Sequence, residues 1–107
     1  MTPPYEKIDI AATAGDVLLL TGVAGRFHNI NRVILTFTSA DAVSTMTIQF
    51  KSGTTELTGP MTITNPGELI YDYVSQNPWH IVALGEDFIV NISNDAQISG
   101  MLYYTAT

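Results

Sequence analysis

The chain has 107 residues, 46% of them hydrophobic and 13% charged, with four basic against ten acidic side chains and a formal charge of −6. This composition predicts one compact soluble domain and excludes a disordered acidic tail, whose apolar fraction would be too small to offset conformational entropy. It also argues against nucleic acid and acidic membranes as partners, because Lys7, Arg26, Arg32 and Lys51 are the whole basic complement and lie scattered. The richest apolar run, Val17–Leu20, is cut off by Thr21 and Gly22, far short of the ~20 residues of a membrane-crossing helix. Residues 1–7 lack the apolar core of a secretion signal. Without cysteine, disulfides and thiolate metal sites are excluded.

In chain order, residues 1–5 read as an extended N-terminal arm, because Pro3 and Pro4 cannot donate to a sheet ladder. A single domain is expected over 6–107. Strands are predicted near 5–10, 16–22, 27–38, 43–51, 54–58, 61–64, 68–73, 79–84, 87–93 and 97–105. The period of two is plainest where Met46, Ile48 and Phe50 alternate with Thr47, Gln49 and Lys51. Phe88, Val90 and Ile92 repeat it, as do Ile98, Leu102 and Tyr104, with Gly100 marking a bulge or a close backbone approach. Residues 32–38 are more uniformly apolar, as in a central strand. Turn signals recur between these runs, among them Gly25, Gly53, Asn65-Pro66-Gly67 and Gly85. No window keeps a helical period for three turns. The pattern predicts an all-β protein: an antiparallel two-sheet jelly-roll (Greek-key) β-sandwich.

Chemistry-bearing groupings are few. The two histidines have no ligand-like spacing; His28 beside a turn and His80 next to Trp79 read as surface or interface hydrogen-bonding groups. Asp16, Asp41, Glu86, Asp87 and Asp95 lie in or near predicted loops without EF-hand spacing, and read as solvated acids. No Gly-x-Ser-x-Gly elbow occurs, and serines at strand ends complete backbone hydrogen bonds. Glu68 and Asp72 share a strand face, but any acidic sandwich supplies such pairs by chance. The Gly22–Gly25 stretch has neither the lysine nor the helix of a phosphate cradle. Neither catalysis nor a cofactor is therefore expected. Tyr71, Tyr73, Trp79, Tyr103 and Tyr104 are candidates for a sugar-stacking platform, although Tyr103 and Tyr104 point to opposite faces and cannot both line it.

Residues 49–63, from Gln49-Phe50-Lys51-Ser52-Gly53 to Leu57-Thr58-Gly59-Pro60 and into Met61-Thr62-Ile63, carry a resemblance. The stretch resembles small virion proteins encoded among the head genes of tailed bacteriophages. The likeness extends more loosely through Gly15-Asp16, Gly25-Arg26, Trp79, Gly85-Glu86 and the terminal Gly100-Met101-Leu102-Tyr103. It implies a jelly-roll decoration, or cement, protein on the outer capsid surface, made in the host bacterial cytoplasm. The major capsid protein would be its partner, and the protein would be a homo-oligomer, often a trimer. Under that implication Pro3, Pro4, Tyr5, Arg26 and Trp79 are the candidate partner contacts. Arg26 and Arg32 are candidates for interface ion pairs, or else plain surface charges. The alternative is a carbohydrate- or receptor-binding module of a phage fibre or tail.

Overall fold

A computed structural model describes residues 5–72 and 80–107, and among them every regular element is a strand. The ten are β1 (Tyr5–Ala12), β2 (Gly15–Leu20), β3 (His28–Thr38), β4 (Thr45–Ser52), β5 (Thr55–Glu56), β6 (Met61–Thr64), β7 (Gly67–Asp72), β8 (His80–Val82), β9 (Phe88–Ile92) and β10 (Ala96–Ala106). Each coincides with a predicted strand, its ends shifted by a few residues. Positions 73 and 79, placed in strands by the sequence, lie outside the described residues, as do Pro3, Pro4 and Trp79. With no helix described, none is long and apolar enough to cross a membrane.

The strands form two antiparallel five-stranded sheets. Sheet A runs β1-β10-β3-β7, and sheet B runs β2-β9-β4-β5. In each, one long strand serves two short ones along the same edge. Strand β3 pairs β8 through His28–Ile30 and β7 through Arg32–Phe37. Strand β4 pairs β6 through Thr45–Ile48 and β5 through Lys51 and Ser52.

The core lies between the sheets and follows the alternation. Val33, Leu35 and Phe37 of β3 and Ile98 and Leu102 of β10 meet Met46, Ile48 and Phe50 of β4 and Phe88, Val90 and Ile92 of β9. All are buried, and each stabilises the fold by roughly 1.5–3 kcal/mol relative to exposure. Gly100 is the expected close approach: its φ is 139°, and a Cβ there would collide with the Ile34 carbonyl oxygen.

Tyr5 opens β1 opposite Tyr103, as the strand expected from residue 5 implies. One expectation changes. His28 is not a surface group. It begins β3 on the inward face, 2% exposed, with its ring edge-on to Tyr104 at 5.4 Å. The turn before it ends at Phe27, whose backbone pairs with Thr107, and this pairing carries the sheet one residue beyond β3.

Candidate interaction surface

The sequence-predicted contact residue Tyr5 lies on the outer face of sheet A. That face is ordered by cross-strand register. One row reads Tyr5, Tyr103, Arg32 and the Asp72 position; the next reads Lys7, Met101, Ile34 and Ile70; a third reads Asp9, Ser99, Thr36 and Glu68. Alternation sends the side chains of β1, β10 and β3 in these rows outward because their neighbours Ile8, Leu102, Val33 and Leu35 are buried. Tyr5 is 59% exposed and Ile70 57%. The first two rows thus bring Tyr5, Tyr103, Met101, Ile34 and Ile70 together with the cations Arg32 and Lys7, and the third, with Asp9 and Glu68, is polar.

A bulge places Arg32. Tyr103 pairs with Arg32 but Tyr104 pairs with Ile30, leaving Asn31 as an extra residue in β3. The extra residue lets Ile30 and Val33, three positions apart, both face the core, and it turns Arg32 outward. Its guanidinium carbon sits 5.8 Å from the centre of the Tyr103 ring, within cation–π range. Tyr5 and Tyr103 are themselves a tilted ring pair, 5.7 Å between centroids at 34°.

Sheet B turns a different face to water. Lys51 Nζ donates to Asp16 Oδ2 at 3.0 Å, and Asn91 Nδ2 donates to Asp16 Oδ1 at 2.8 Å. The Asn91 hydrogen bond, and after it that of Lys51, holds the Asp16 carboxyl below its ordinary value. Gln49 Nε2 donates to the Thr58 carbonyl at 2.9 Å. The polar groups of this face thus satisfy one another across β2, β9 and β4.

Arg26 lies elsewhere, at one end of the sandwich. Its N–H donates to the Val23 carbonyl at 3.0 Å, and its own carbonyl accepts from Gly85 N–H at 2.9 Å, joining the β2–β3 loop to the β8–β9 loop. These loops expose Val23, Phe27 and Leu84 by 50%, 41% and 53%. Tyr5 lies on the outer face of sheet A, and Arg26 on a loop beyond the start of β3.

The loop acids prove to be ties between loops. Asp87 Oδ1 accepts from Gly22 N–H at 2.6 Å, and Asp95 Oδ1 from Ala14 N–H at 2.7 Å. Asp41 Oδ2 accepts from Asn94 Nδ2. At the same end Asn65 bonds Ser39 through both amide atoms, and Ser39 Oγ donates to the Asp95 carbonyl at 2.6 Å. An open hollow of about 360 Å³ there is floored by Ala11, Ala12 and Ala40, with its carboxylates at Asp41 and Asp95 already engaged. Among the described residues no three His, Cys, Asp or Glu side chains converge as cation ligands. Glu68 and Asp72 stand four residues apart in β7, opposite Thr36 and Arg32 of β3.

Arg32, Met101, Ile34 and Ile70 complete the surface around Tyr5, and only Arg32 was singled out by sequence. A signal existed in Glu68-Leu69-Ile70-Tyr71-Asp72, where Ile70 stands between two acids on the face opposite Leu69. Neither protein-family models, curated proteins nor solved structures give a match to this chain.

Proposed function

We propose that this is a non-enzymatic virion structural protein of a tailed bacteriophage: a decoration protein that binds the outer capsid surface and bridges subunits of the major capsid protein. The strand orders β1-β10-β3-β7 and β2-β9-β4-β5, with successive strands mostly alternating between sheets, support a jelly-roll topology. The observation that carries the functional reading is the exposed set Val23, Phe27 and Leu84 beside Arg26, on two loops braced by backbone hydrogen bonds. Braced apolar side chains rimmed by an arginine suit adhesion, since interface cores favour apolar and arginine side chains and rigid loops lose little entropy on docking. The net charge of −6 agrees with a place outside the shell, away from packaged nucleic acid.

The carbohydrate reading has less behind it. A stacking platform needs a free ring face, and the Tyr103 ring already has Arg32 over it and Tyr5 beside it. Co-sedimentation of the purified chain with undecorated phage heads tests the proposal. Saturable binding, weakened at least tenfold by Val23→Asp with Leu84→Asp, is the expected result. Absence of binding to any head preparation, or binding indifferent to both changes, overturns it.

A further inference from the structure

We infer that the free edge of β1 is a self-association site, on which β1 of a second copy adds antiparallel about a two-fold axis through Ile8 and joins the two sheets A into one. The inference goes beyond the proposed function and does not depend on the capsid as partner.

Strand β1 ends sheet A, and among the described residues no strand pairs with its other side. The other described edges are interrupted. Strand β2 carries an extra residue between Leu18 and Leu20, β7 and β8 divide one edge between them, and β5 and β6 divide another across Gly59-Pro60. Bulges and breaks of this kind keep an edge from templating a neighbour. Strand β1 has neither: its ladder with β10 runs from Tyr5 to Ala12 without a shift, and it contains no proline or glycine. Its outer backbone donors and acceptors therefore form one regular row that another extended strand can match.

Charge decides which strand adds and in which register. Lys7 and Asp9 stand on the outward side of β1 with the buried Ile8 between them. Two antiparallel copies centred on Ile8 put Lys7 of each opposite Asp9 of the other, so both ammonium groups face carboxylates across the seam. Centring the pair on Lys7 sets ammonium on ammonium, and centring it on Asp9 sets carboxylate on carboxylate. A parallel pair in register does both. Only the Ile8 centre satisfies the charges, and it keeps opposed side chains on the same face.

The neighbouring positions agree with this register. Lys7 is exposed, and among the described residues no carboxylate of its own chain pairs with it. Asp9 Oδ1 accepts from Gln97 Nε2 at 2.8 Å, which leaves the second carboxylate oxygen to receive an ammonium group. Tyr5, 59% exposed, falls opposite the small Ala11 of the second copy. Glu6 falls opposite Ile10, with no like charge across from it. The contact is isologous and closes at two copies, unlike the trimers that the resemblance implies.

Sedimentation equilibrium of the full chain tests this. The wild type should form a dimer. Lys7→Asp and Asp9→Lys should each weaken it at least tenfold while leaving a folded monomer by far-ultraviolet circular dichroism, because both side chains are exposed. Mixing the two variants should restore association, since every carboxylate of one chain then faces an ammonium group of the other. Hydrogen exchange on the wild type needs no substitution: alternate amides of β1 should gain protection as concentration rises through the dissociation constant of the dimer. A monomer at every concentration overturns the inference. So does a trimer, a dimer indifferent to either single change, a mixture that stays monomeric, or a dimer whose β1 amides exchange as they do in the monomer. Head binding measured with the Val23 and Leu84 variants reports separately on the capsid reading, so either can fail alone.

Discussion

Gly100 in β10 lies so close to the Ile34 carbonyl of β3 that a Cβ on it has no room. The contact is backbone against backbone at the centre of sheet A, where neither partner can swing aside, and the φ of 139° disfavours any side chain independently. Gly100→Ala should lower stability by roughly 2–3 kcal/mol or prevent folding. Gly59 is the control: it has open space around it, and Gly59→Ala should shift the urea midpoint by no more than about 0.5 kcal/mol equivalent.

Asp87 serves two loops at once. Its side chain accepts from Gly22 N–H and its carbonyl accepts from Gly53 N–H. Asp87→Ala leaves the Gly22 donor without its partner and should cost about 1–3 kcal/mol. Asp87→Asn keeps an acceptor oxygen and should recover most of the loss, a comparison that chemical denaturation of both variants reads directly.

The bulge at Asn31 lets Ile30 and Val33, three apart, both face in. Deleting Asn31 would leave Ile30 and Val33 two apart in a plain ladder, both still facing inward and still opposite Tyr104 and Leu102. That deletion should keep cooperative unfolding, while deleting Asn31 and Arg32 together, which makes Ile30 and Val33 adjacent and turns one of them outward, should abolish it. Near-ultraviolet circular dichroism on heating separates the two.

Acid should weaken the fold in two steps. Burial pushes the His28 imidazole below its ordinary value of 6.5, so the unfolded chain takes up the proton more readily than the folded one. Its contribution is present above pH 6.5 and is lost as pH falls from there toward the lowered folded value. Urea midpoints should therefore drop between pH 7.5 and 5.5, and His28→Phe should flatten that slope. Asp16 is also lowered, so its contribution disappears only as pH falls below about 3.8, and it is small because the carboxylate is exposed.

The strands were legible because alternation is local: Met46-Thr47-Ile48-Gln49-Phe50 declares its inward side with no knowledge of a partner. What local pattern could not declare was pairing. The row that Tyr5 shares with Tyr103 and Arg32 is set by register across three strands. His28 looked exposed because a turn precedes it, and only Thr107 pairing with Phe27 carries the sheet past it. Arg32 could be nominated as a charge, but its place over Tyr103 depends on a bulge that no periodicity reveals. The surface row of Met101, Ile34 and Ile70 joins three strands distant in sequence, so it exists only once the sheet has formed.

The pairing of β1 with β10 along its whole length, from Tyr5 with Tyr103 to Ala12 with Ala96, has a kinetic consequence. Strand β1 leaves the ribosome well before its hydrogen-bonding partner β10, so sheet A cannot close until β10 has been made. Refolding from denaturant should accordingly be slow for a chain this short, in the millisecond-to-second range of domains dominated by distant contacts. Until β10 arrives, the nascent chain carries an open edge that other nascent chains could occupy.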